Sequence, residues 1–117
     1  MTVKRIVANI AANQVGEGHK FYSELLGLKV VMDHGWIVTF AADRPAPVQV
    51  SVASEGGSGT PVPDISIEVD DVDQVHQRAK ALGFDITYPL TNEPWGVRRF
   101  FVRDPFDKLV NIISHTG

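Results

Sequence analysis

Three arginines and three large aromatic residues crowd one short segment, NEPWGVRRFFVRD, residues 92 to 104. A guanidinium at Arg98 could grip a carboxylate or another anion; it could equally pair with an acid or stack on Trp95 and only stiffen a sheet. Arg98 and Arg99 point to opposite faces of any strand that holds both, so one of them at most faces a given ligand. Trp95, with Trp36 in the first half of the chain, offers a platform for a flat or aromatic ligand, and the same rings suit core packing or a subunit interface. Asp64, Ser66 and Glu68 recur at every second position of DISIEVD and share one strand face. That face is either an acidic wall for a cationic or hydrogen-bonding ligand or the polar side of an amphipathic strand. Asn111 and His115 share a phase of the last strand. His115 either guards the mouth of a site or frays with the end of the strand.

The four histidines show no ligand spacing to one another. His19 and His76 lie in the polar phase of their helices, where solvent exposure is expected, and His34 sits in a hairpin turn. The chain has no cysteine, which removes disulfides, thiolate metal sites and a cysteine nucleophile. No residue is assigned a catalytic role. With 21% charged residues and a net charge of −3, neither disorder nor nucleic-acid binding is expected. Asn9 and Asn13 interrupt the only apolar run near the N-terminus, and no window approaches the roughly 18 apolar residues of a membrane span. A soluble, cytoplasmic protein is the expectation.

The elements that must position these residues repeat. A length of 117 residues makes one domain, and 44% hydrophobic content supplies a core. SEGGSGTPVPD, residues 54 to 64, reads as a flexible Gly/Ser/Pro link between modules of about 1–54 and 63–117. In the first module VKRIVANIAA reads as a strand. A helix capped by Asn13 should bury Phe21 and Leu25, with Tyr22 and Leu26, and end at Gly27. LKVVMD and GWIVTFA form a hairpin, and VQVSVA follows the loop RPAP. In the second module DISIEVD is a strand, and Asp71 caps a helix whose stripe is Val72, Val75, Ala79 and Leu82, closed by Gly83. FDITYP, VRRFFVRD and KLVNIIS complete it. In the turn of the last hairpin, Asp104-Pro105 sets the register. The pattern is βαβββ twice, and one copy cannot bury its own sheet.

FYSELLGLKV, EVDDVDQV and WGVRRFFVRDPFDKLV resemble the vicinal oxygen chelate superfamily, which includes glyoxalase I, extradiol dioxygenases and the fosfomycin- and bleomycin-resistance proteins. The likeness covers essentially the whole chain. The WG-x-R-x-F segment followed by Asp-Pro looks closest to the bleomycin-resistance-like branch, and Asp107 stands where the family usually has Gly, which implies a left-handed conformation that Asp tolerates better than most. The resemblance implies an α+β fold in which two βαβββ modules pair into a curved sheet with a U-shaped cleft, and it implies a homodimer. In metal-dependent members the ligands sit on inward-facing strand positions that correspond here to Val7, Asp64 and Asn111. Val7 has no donor atom and Asn111 offers only a neutral amide, so the inherited metal site reads as lost. A register slip that turned Asn9 inward would give two amides and no better a site. No cofactor is expected.

Three functions stay open. The first is a metal-independent binding protein that holds an unidentified small molecule in the cleft without chemistry, lined by Asn9, Trp36, Asp64, Glu68, Trp95, Arg98 and Asn111. The second is a lyase, isomerase or dioxygenase with an atypical metal set, needing Asp64 and two more donors among Glu68, Gln49 and His115. The third is an interaction module whose cleft is filled by its own side chains or by a partner.

Overall fold

A computed structural model describes residues 2–42 and 49–116. The RPAP loop and Val48 lie outside the described residues. Two compact units are present: residues 7–62, and residues 63–117 together with 1–6. The first strand, β1 (Val3–Ala11), therefore gives its opening residues to the C-terminal unit and the rest to the N-terminal unit.

In the N-terminal unit the strand order is β2 (Lys29–Asp33), β3 (Ile37–Ala41), β4 (Gln49–Ala53), β1. β2 and β3 form the expected hairpin; Gly35 takes φ +84° in its turn, and its N–H donates to Asp33 Oδ1 at 2.9 Å. β4 lies antiparallel to β3 and parallel to β1. Val38, Phe40 and Val52 form the core, joined by Val15, Tyr22 and Leu28. Between β3 and β4 the hydroxyls of Thr39 and Ser51 meet at 2.7 Å in the interior, which satisfies both where water is excluded.

The helix of this unit departs from expectation. A 3-10 turn (Val15–Glu17) leads into a π-helix (His19–Leu25), with Gln14, not Asn13, before the first turn and no side-chain cap. Leu26 N–H reaches back five residues to the Phe21 carbonyl at 3.2 Å. The wider turn leaves Phe21, Leu25 and Leu26 exposed, and Tyr22 alone packs inward, its ring 5.4 Å from that of Phe40. His19 is half-buried with its ring edge-on to Phe40, not solvated as its helical phase suggested. Gly27 ends the element at φ +73°, a conformation glycine adopts without penalty.

The supposed flexible link is a tight turn. Gly56 N–H donates to Thr60 O at 2.8 Å, Thr60 N–H to Gly57 O at 3.0 Å, and Gly59 N–H to Glu55 Oε1 at 3.1 Å. Gly57, Ser58 and Gly59 all have positive φ, and Gly56 is buried.

The C-terminal unit has the order β1, β5 (Ile65–Val69), β8 (Leu109–His115), β7 (Val97–Arg103), β6 (Ile86–Glu93). β5 and β8 run parallel; β6, β7 and β8 are antiparallel. One helix, α1 (Val72–Ala81), covers one face; Asp71 accepts the Gln74 N–H at 3.1 Å as its cap. Beneath α1, Val69, Val72, Ala79, Phe100, Val110 and Ile112 pack together, with Ile65, Ile67 and Val75. His76 is half-buried, edge-on to Phe100 at 4.9 Å, while Leu82, expected in the stripe, is exposed. Ser114 staples the helix start, accepting the Val72 N–H at 3.1 Å and donating to Val69 O at 2.8 Å. In the β7–β8 turn Asp104 Oδ1 accepts the N–H groups of Phe106 and Lys108, and Asp107 adopts the expected left-handed φ, +62°.

Candidate ligand-binding face

With α1 on one side of the C-terminal sheet, strand alternation assigns every other residue to the helix-free side. Asn111 pairs in register with Ser66 on β5 and Phe101 on β7, so these three side chains project together. Glu68, Ile113 and His115 continue the same phases, as do Arg99 and Val97 on β7 and Glu93 on β6.

Arg99 is the centre of this face. Its Nε donates to Glu93 Oε2 at 2.7 Å, and the pair is almost wholly buried, each side chain 3% exposed. Tyr88 OH donates to the same carboxylate oxygen at 3.1 Å. The guanidinium carbon lies 5.3, 5.0 and 4.8 Å from the ring centres of Tyr88, Trp95 and Phe101, cation–π distance for all three. A buried ion pair needs such added contacts to offset the cost of leaving water.

Arg98 lies on the other side. Its Nε and guanidinium nitrogen hold Asp73 of α1, the shortest contact 2.8 Å, and a further N–H reaches Asn92 Oδ1. Hydrogen bonds from Arg98 hold the Asp73 carboxyl below its ordinary range and raise the Arg98 guanidinium in turn. The arginine on the face with Asn111 is therefore Arg99, which sequence reasoning passed over. The sequence alone does not choose between Arg98 and Arg99, because Phe100 and Phe101 put an aromatic ring on each face of the strand.

Asp64 holds the strand start. Its Oδ2 accepts the Leu109 N–H at 2.8 Å, and its own N–H donates to Leu109 O at 2.8 Å. Glu68 is shared by two partners, Arg5 Nε at 3.1 Å and His115 Nδ1 at 2.7 Å. Asn111 is 6% exposed; its Nδ2 donates to Ser66 Oγ at 3.1 Å, while its Oδ1 is buried with no hydrogen-bond partner in the protein. The structure thus brings together Glu68, Asn111 and Trp95 with Ser66, Arg5, Arg99 and His115. Asn9 and Trp36 belong to the N-terminal unit, where Asn9 pairs in register with Ser51 and the Trp36 ring stacks with His34 at 6.1 Å.

Residues 3–112 match the family model of the Glyoxalase/Bleomycin resistance protein/Dioxygenase superfamily. The chain belongs to this superfamily. Among solved structures similar to it, an NAD-dependent benzaldehyde dehydrogenase from Legionella pneumophila aligns over 95% of this chain and 99% of its own, with TM-score 0.76 and 16% identity. A superfamily member from Vibrio splendidus 12B01 aligns over 97% and 99%, with TM-score 0.66 and 18% identity. Methylmalonyl-CoA epimerase from Mycobacterium tuberculosis aligns over 98% and 88%, with TM-score 0.62 and 16% identity. Identities this low carry the fold and nothing finer. A comparison with curated proteins finds no match.

The metal that some superfamily members use does not fit the residues here. Val7 has no donor, the Asp64 carboxylate is engaged by the Leu109 N–H, and Asn111 presents an amide bonded to Ser66. Among the described residues no group of three or more His, Asp or Glu is placed to hold an ion. Glu68 and His115 do meet, but Asp64 lies four residues back along the chain from Glu68, about 13 Å in extended backbone. No helix among the described residues is long and apolar enough to cross a membrane.

Proposed function

We propose that this protein holds a small organic molecule on the helix-free face of its C-terminal unit and does so without a metal and without chemistry, as bleomycin-resistance-type members of the superfamily do. The observation that carries the reading is the Asn111 amide, 6% exposed, with Oδ1 unmatched by any protein donor. Buried carbonyl groups are rarely left without a partner, because the lost hydration costs about 1–3 kcal/mol. Such an atom on a face walled by aromatic rings is suited to a ligand. The homodimer implied by the resemblance belongs to the same proposal; exposed Phe21 and Leu25 are apolar surface that association would bury. A melting screen against small organic compounds tests the binding reading: a compound should raise the melting temperature of the native chain saturably and raise that of Asn111→Leu less. Equal shifts in both proteins would contradict it.

A second reading has one observation in its favour, the contact of His115 Nδ1 with Glu68 Oε2 at 2.7 Å. If Nδ1 donates its proton to that carboxylate, Nε2 is left as a proton acceptor at the open end of the face. An enzyme using that base would exchange a ligand C–H for deuterium in D2O, and His115→Gln would stop the exchange.

A further inference from the structure

We infer that the molecule held on this face is uncharged and donates a hydrogen bond, through an N–H or O–H group, to Oδ1 of Asn111. The inference rests on the small-molecule reading above and narrows it to a chemical class.

The donor requirement follows from the amide itself. Asn111 Nδ2 donates one of its two N–H groups to Ser66 Oγ, which orients the amide, and the carbonyl oxygen is the atom left with no partner. Phe101, 1% exposed, stands beside it as register partner and supplies an apolar wall. A ligand group that only accepts hydrogen bonds would place oxygen against oxygen there. One that donates removes the desolvation penalty of both partners.

The charge requirement follows from the pairing around it. Arg5 sits with Glu68, Arg99 with Glu93, and Arg103 with Asp107 at 3.8 Å, so each of these guanidiniums already faces a carboxylate. An anion arriving at Asn111 would lose its hydration and meet no guanidinium that is not already paired. A cation would lose its hydration too, with Glu68 and Glu93 paired to arginines and Asp64 held by the Leu109 N–H. An uncharged molecule loses much less.

Four probes of similar size separate these requirements in the full chain: phenol, anisole, benzoate and protonated benzylamine. Phenol and anisole share the ring and its oxygen, and in anisole a methyl group replaces the donated hydrogen. The side-chain amide resonances of Asn111, assigned by their loss in Asn111→Leu, report on the site directly, with the Trp95 indole N–H as a second reporter. Phenol should shift both and bind about threefold to tenfold more tightly than anisole, the range one net hydrogen bond supplies. Benzoate and benzylamine should shift neither at the same concentrations. In Asn111→Leu, followed through Trp95, the advantage of phenol over anisole should vanish. Asn111→Asp keeps the shape and adds a charge, and should gain affinity for benzylamine.

Equal binding of phenol and anisole would overturn the donor requirement and leave the binding reading standing. Tighter binding of benzoate or benzylamine to the native chain would overturn the charge requirement alone. Silence of both reporters to all four probes would overturn the inference and the binding reading together.

Discussion

Arg98 and Arg99 are neighbours in β7 and serve opposite faces: Arg98 is bonded to Asp73 on α1, and Arg99 to Glu93 at 2.7 Å beneath three aromatic rings. The arginine-rich hairpin therefore has two jobs. One arginine ties the strand to its helix; the other is the buried cation of the face where Asn111 sits.

The Arg99–Glu93 pair is expected to behave as a unit. Arg99→Met or Glu93→Leu alone strands a buried charge and should cost about 3–5 kcal/mol in denaturant unfolding. The double replacement removes both charges and should be much less costly than the sum of the two. Additive losses would show that the two side chains are not coupled as the geometry requires.

The Arg98–Asp73 pair is exposed, and its contribution should be small and dependent on pH. Arg98 holds the folded Asp73 carboxyl below its unfolded value, so the stabilisation is present above the unfolded pKa and is lost as pH falls through the folded one. Arg98→Ala should therefore lower stability by less than about 1 kcal/mol at neutral pH. The gap from the native chain should close in melts taken progressively below about pH 4. A gap that widens in acid would contradict the assignment.

Much of this architecture was legible because it rests on local signals. Gly27 and Gly83 end their helices at positive φ and Asp71 caps α1, all from residue type and spacing, while the left-handed Asp107 followed from the family resemblance. What stayed hidden depends on tertiary choices. Alternation shows that Arg98 and Arg99 diverge, but only the position of α1 decides which of them meets Asn111. The apolar spacing of Phe21 and Leu25 reads as a buried stripe, yet the π-helix turns both outward. GGSG reads as flexible by composition, while its backbone hydrogen bonds make it a tight turn. Arg5 and Glu68, 63 positions apart, carry no pairing signal that a single sequence displays.

That turn yields a sharp contrast between glycines. A Cβ on Gly56 would lie 2.2 Å from Pro61 O and 2.3 Å from Thr60 Oγ1, and the first of these is backbone that cannot swing aside. Gly56→Ala should destabilise by about 1–3 kcal/mol or more, as overpacking does. A Cβ on Gly16 meets nothing within 4 Å, so Gly16→Ala should be neutral or slightly stabilising. Comparable melting temperatures for the two variants would mean the loop relaxes freely.

Asn111 should show the signature of a residue kept for binding at some expense to the fold. Replacing it together with its partner, as Ser66→Ala/Asn111→Leu, removes a buried carbonyl that has no protein partner and leaves an apolar patch. The double variant should be at least as stable as the native chain in urea. A loss of more than about 2 kcal/mol would mean that the amide is structural.

The central claim, that the superfamily's metal positions hold no metal in this chain, is tested most directly by elemental mass spectrometry of the purified protein. Melts with Mn, Fe, Co, Ni and Zn added singly complete the measurement. A real site at a hundredfold excess over its dissociation constant contributes about 2.7 kcal/mol, or roughly 10 °C in a domain of this size. The account predicts substoichiometric metal and no saturable shift. A stoichiometric metal, or a saturable shift abolished by Glu68→Gln or His115→Ala, would contradict it and make this chain a metal-binding member of the superfamily.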